Sequence, residues 1–146
     1  MRQSSAAEGV GAQVLVVTAR LILAAVFGRA LVLKLINPVG IAAYIASAGF
    51  PAPTILLWLA IAFELALVLG LLTGFYFRTA CIAASIYVLF LAFAFHGPGR
   101  WVDPREFDQF VSHFPFIAGL MFATLYGPGD IMVAVPTAGK RKGLPA

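Results

Sequence analysis

Residues 54–77 read TILLWLAIAFELALVLGLLTGFYF, and a single acidic side chain, Glu64, interrupts an otherwise apolar run. About 20 apolar residues cross the roughly 30 Å hydrocarbon core of a bilayer as an α-helix, so this stretch is long enough to span. Glu64 falls about ten residues from its start, about 15 Å deep at 1.5 Å per residue and close to the midplane. A charged carboxylate facing lipid there costs several kcal/mol, so Glu64 must be paired, hydrated or protonated. One reading is an internal ion pair that sets helix register. The other is a contact on a proton or substrate path.

Three further apolar runs lie on either side. Residues 14–36 form the first, ended by Asn37-Pro38, because the residue before proline is pushed out of helical geometry. Arg20 and Arg29 interrupt it, no small-residue cleavage site follows, and it exceeds a signal-peptide core, so it reads as a span. Residues 79–95 form the third run between Arg78 and His96, and residues 110–126 the fourth, stopped by Gly127-Pro128-Gly129. A short apolar helix over 39–48 is too short to cross and should lie in the outer interface or fold back on the bundle.

Composition agrees. Of 146 residues, 62% are hydrophobic and only 11% charged, and the mean hydropathy is +0.97. Soluble domains carry about 25% charged residues, so this chain cannot coat a globule with charge. The same figures exclude a disordered chain, a coiled coil and a nucleic-acid binder; the net charge of +4 is scattered rather than clustered. Cys81 is alone, which rules out an internal disulfide and any Cys-x-x-Cys redox or zinc motif.

The predicted fold is therefore all-α: an integral membrane four-helix bundle, up-down, with a short outer interfacial helix after the first span. It comprises an N-terminal tail (1–13), a transmembrane domain (14–130) and a basic C-terminal tail (131–146). Arg2, Arg78 and Lys140-Arg141-Lys142 fall on one side, whereas Arg100 and Arg105 fall in the third connection. The excess of Lys and Arg marks the cytoplasmic face, so both termini are placed in the cytoplasm. Tyr44, Trp58 and Trp101 fit an outer aromatic belt, and Phe75, Tyr76, Phe77 and Tyr126 an inner one.

The ionisable residues suggest two sites. Arg20, Phe27 and Lys34 are spaced seven apart, nearly two helical turns, and share a face; Arg29 lies on the opposite face. Arg20 and Arg29 both lie within about 8 Å of Glu64 in depth. Glu64 is therefore expected to contact a basic residue of the first span, Arg20 foremost, in a polar intramembrane cluster of Arg20, Lys34, Glu64 and Arg78. Arg29, facing away from that cluster, is expected to meet a partner subunit or a second copy of the chain, with snorkelling to the outer headgroups or turning inward to Glu64 as the alternatives. His96 and His113 flank the third connection and form a possible outer-side site. They read either as interfacial imidazoles bonded to backbone, water or lipid, or as a metal or haem pair. Their place at helix ends argues against the second, and no metal or bound cofactor is expected. No phosphate loop, catalytic triad or metalloprotease motif occurs.

Arg20-Leu21, Phe27, Lys34-Leu35 and Gly49-Phe50-Pro51, followed by Phe63-Glu64-Leu65, Gly70-Leu71-Leu72-Thr73-Gly74 and Arg78, then His96 and Gly127-Pro128-Gly129, resemble the DoxX family in order and spacing. The resemblance covers roughly residues 20–130. The chain departs from the pattern at Leu31, where the family often has glycine, at His113-Phe114, which stands in place of a Lys-Asn pair, and at Arg29. The resemblance implies a four-helix protein of the cytoplasmic membrane in a redox or stress setting, since the family is named after a subunit of a thiosulfate:quinone oxidoreductase. The expected role is a membrane subunit that anchors an oxidoreductase and couples it to the quinone pool, with quinone as a possible substrate. A small-solute or proton transporter using Glu64 and a structural or assembly subunit of a larger respiratory complex are the competing readings.

Overall fold

The structure, a computed structural model, describes residues 2–129, with side chains from residue 9 onward. Its elements are α1 (Arg2–Ile36), α2 (Pro38–Ser47), α3 (Pro53–Thr73), α4 (Phe77–His96), a single 3₁₀ turn (Pro98–Arg100) and α5 (Pro104–Tyr126). Among the described residues, three segments are long and apolar enough to cross a membrane: Gly9–Ile36, Pro53–Thr73 and Phe77–Arg100. The last helix, α5, has 23 residues but opens with Arg105, Glu106 and Asp108, so its composition is more mixed.

The helix ends follow local chemistry. The Asn37 side chain accepts from the Gly40 N–H at 3.1 Å and Pro38 occupies the first turn of α2, where its missing N–H costs nothing. Asp103 caps α5 in the same way, accepting from the Arg105 N–H at 2.9 Å ahead of Pro104. This cap starts α5 six residues earlier than its apolar run and turns half of the expected loop into helix. Gly74, at φ 77°, ends α3 before the run of apolar residues stops, because its left-handed backbone lets its N–H close on the Gly70 carbonyl at 3.0 Å. At its other end α1 continues back to Arg2, so the expected boundary at 13 does not interrupt the helix. The basic residues 140–142 lie outside the described residues.

In the packing, α1 lies against α3, α3 against α4 and α4 against α5, with α2 laid against α3 and α1. Small residues set the spacing. A Cβ added at Gly70 would come within 3.0 Å of the Ala80 Cβ, and Ala84 and Ala92 are fully buried on α4. One core cluster joins Leu23, Phe27, Leu67, Leu71, Cys81 and Leu120; a second joins Leu31, Ile45, Leu57 and Ile61 beneath Phe50 and Phe95. Large apolar side chains also cover the outside, among them Leu21, Ile22, Ile86, Phe90 and Phe122. Contiguous apolar exposure on this scale fits lipid as the solvent of this face.

Candidate functional site

On α3, Leu57, Ile61, Glu64, Leu67 and Leu71 recur every three or four residues and form the buried stripe. Glu64 occupies the middle of that stripe at 1% exposure. Lys34 reaches it from α1, with Nζ donating to Oε1 at 2.8 Å and to Oε2 at 3.0 Å. From α4 the Tyr87 hydroxyl donates to Oε1 at 2.8 Å, its ring edge-on to Phe63. The carboxylate on α3 is thus held from two other helices at once. A carboxylate this deep is tolerable only because three charge-assisted bonds replace its water. Tyr87→Phe removes one of them, and a loss of about 2 kcal/mol of unfolding free energy, measured by thermal unfolding in detergent, is the expected outcome.

Arg20 is not the partner of Glu64. Its guanidinium donates to the Leu71 carbonyl at 3.1 Å, to the Leu72 carbonyl at 2.8 Å and to the Pro128 carbonyl at 2.6 Å, and it lies over the Phe77 ring. The reason lies in where α3 ends. Termination at Thr73 leaves the carbonyls of the last turn without helical partners and gathers partial negative charge there, at the level of Arg20. The apolar residues continue past Thr73 to residue 77, which conceals that terminus in the sequence. Arg78 belongs to this end as well, since its guanidinium lies 3.3 Å from where a Gly127 Cβ would be. The expected four-residue cluster is therefore two sites: Lys34 with Glu64 in the bundle interior, and Arg20 with Arg78 at the end where α3 finishes. Arg29 is exposed on the opposite face of α1.

At the other end, His96 and His113 come together with ring centroids 5.5 Å apart. Nδ1 of His96 lies 2.7 Å from Oε2 of Glu106, and Nδ1 of His113 lies 2.6 Å from the Gln109 carbonyl. The Trp101 indole N–H donates to the His96 carbonyl at 2.9 Å and ties the connection to the end of α4. Tyr44 of α2 stacks on Phe95 nearby, and burial and the charge of Glu106 hold its phenol above the ordinary range, against the opposing pull of Arg100. No group of three or more metal-ligating side chains occurs among the described residues.

The two polar centres border one cavity of about 820 Å³, lined by Lys34 and Tyr87, by His96 and His113, and by an aromatic wall that includes Phe63 and Phe90. Several lining residues, Leu59, Ile86 and Phe90, are also exposed, so the cavity opens onto the apolar surface of the bundle. Tyr87 and Glu106 were missed from the sequence, although each left a signal. A tyrosine in mid-span needs a hydrogen-bond partner. Glu106 follows a helix-starting Asp103-Pro104 pair and shares a helix face with Phe110 and His113.

The family model described as DoxX matches residues 15–97, more than half of the chain. The chain belongs to the DoxX family. Neither a curated protein nor a solved structure matches it. DoxX proteins are generally membrane proteins associated with redox and quinone-linked systems. The DoxX match takes in Arg20, Lys34, Glu64, Tyr87 and His96 and ends before Glu106 and His113, so the histidine end of the cavity is completed by residues outside it.

Proposed function

We propose that this DoxX-family chain is the membrane subunit of a redox system, anchoring an oxidoreductase in the plasma membrane and coupling it to the quinone pool. In this reading α5 is a fourth span, the bundle runs up-down, α2 lies in the outer interface, and both termini are cytoplasmic. The observation that carries the reading is the cavity. Its volume lies within the roughly 300–1,000 Å³ typical of small-molecule sites, its walls are aromatic and its few polar groups converge. Its opening toward lipid suits a ligand dissolved in the bilayer. The pairing of Glu64 with Lys34 favours this role over a proton path through Glu64, because the carboxylate is already neutralised. Arg29, exposed on the far face of α1, is the proposed contact for the partner subunit.

Purification from the native membrane in mild detergent tests both parts. The expected preparation retains a redox protein and about one extractable quinone per chain. Ala83→Phe, which fills the cavity, should lose the quinone and keep the protein partner. Arg29→Leu should do the reverse. A preparation with neither quinone nor redox protein overturns the reading.

A further inference from the structure

Resting on that reading, we infer that the His96–His113 end of the cavity selects the reduced, hydroxyl-bearing form of its ligand, a hydroquinone, over the oxidised dicarbonyl form. The argument turns on which ring nitrogen carries the proton. Nδ1 of His113 faces a backbone carbonyl oxygen at 2.6 Å, and a carbonyl can only accept, so Nδ1 must be the donor. Nδ1 of His96 faces the Glu106 carboxylate at 2.7 Å, and an ionised carboxylate likewise accepts only. In both neutral imidazoles the proton is therefore committed to Nδ1, and Nε2 presents a lone pair.

Neither Nε2 has a hydrogen-bond partner among the described residues, and no buried side-chain polar atom there is left unsatisfied, so both nitrogens are accessible. Both rings line the cavity. In their neutral forms the two imidazoles thus offer this end two acceptors and no donor. A hydroquinone hydroxyl donates to such a site, whereas a quinone carbonyl set its lone pairs against theirs gains nothing. The other polar centre does not discriminate. Lys34 gives two of its three N–H bonds to Glu64 and keeps one, and that one can serve a hydroxyl or a carbonyl oxygen equally. The Tyr44 hydroxyl, which also lines this end, can donate or accept and serves either form as well. Selection between the two oxidation states therefore rests on the histidines, with Glu106 and the Gln109 carbonyl as positioning groups that fix the tautomers.

The test uses the full chain in nanodiscs, with decylubiquinol kept reduced under anaerobic conditions and decylubiquinone as the two probes, their affinities measured by equilibrium dialysis. The expected result is a quinol affinity about tenfold above that of the quinone, the scale of one or two neutral hydrogen bonds. In His96→Phe/His113→Phe the preference should vanish, while quinone affinity stays within about twofold, since the aromatic wall is kept. His113→Phe alone should remove part of the preference, and it guards against a double variant that fails to fold. Nitrogen-15 spectra of labelled histidine in the unliganded protein should show Nδ1 protonated and Nε2 bare in both rings. Equal binding of the two forms, a preference that survives the folded variants, or protonated Nε2 in the neutral rings overturns this inference while leaving the proposed function standing. Binding of neither form overturns the proposed function itself.

Discussion

Replacing Lys34 with methionine is expected to destabilise the protein by about 3–5 kcal/mol, the cost of leaving a buried charge without its partner. Glu64 is 1% exposed, and besides Lys34 it has only the Tyr87 hydroxyl among the described residues. Removal of the ammonium leaves two responses: the carboxylate keeps its charge in a low-dielectric interior, or it takes up a proton and gives up the energy that had kept it ionised. Both are costly. The informative comparison is Lys34→Met/Glu64→Met. Apolar replacement of a whole buried ion pair is often neutral or stabilising, so the double variant should recover to within about 2 kcal/mol of the parent, the residue being the stranded Tyr87 hydroxyl. Thermal unfolding of the three proteins in one detergent measures the series. A double variant as unstable as the single one would mean that the cost lies in packing and not in the charge.

The second large effect is expected at Arg20. Arg20→Leu removes a cation that is 5% exposed and leaves the carbonyls of Leu71, Leu72 and Pro128 without it, and a loss of about 3–4 kcal/mol follows from charge-assisted bonds of this kind. Arg20→Lys should restore less than half. The three acceptors are spread across the fork of a planar guanidinium, and an ammonium is a compact point charge that cannot reach them all from one position. The same unfolding measurement decides it. An Arg20→Lys protein as stable as the parent would show that charge alone, without geometry, holds this end together.

Much of the helical layout was legible because the bilayer simplifies the reading: spans declare themselves by length, and their ends by Pro and Gly. Each helix end that was misplaced has a local cause. The Gly74 cap cut α3 short inside an apolar run, and the Asp103 cap started α5 within a charged loop. Both errors propagated into the site. The first concealed the carbonyls that claim Arg20, and the second left Glu106 in a loop when it stands on a helical face opposite His96. The Arg20–Phe27–Lys34 stripe was readable from spacing, and Phe27 does lie buried between two basic residues that point the same way. Which of the two would meet Glu64 was not readable, because that depends on the axial offset between α1 and α3, and a sequence carries only the order of residues along each.

Arg20 joins α1 to carbonyls 51 and 108 positions further along the chain. During synthesis its first acceptors emerge with the end of α3, and its last only after α5 is complete. Until then the guanidinium can be met by the Leu71 and Leu72 carbonyls but not by that of Pro128. This end of the bundle therefore closes late in synthesis: a chain truncated before Pro128 lacks the carbonyl that joins α1 to the segment after α5.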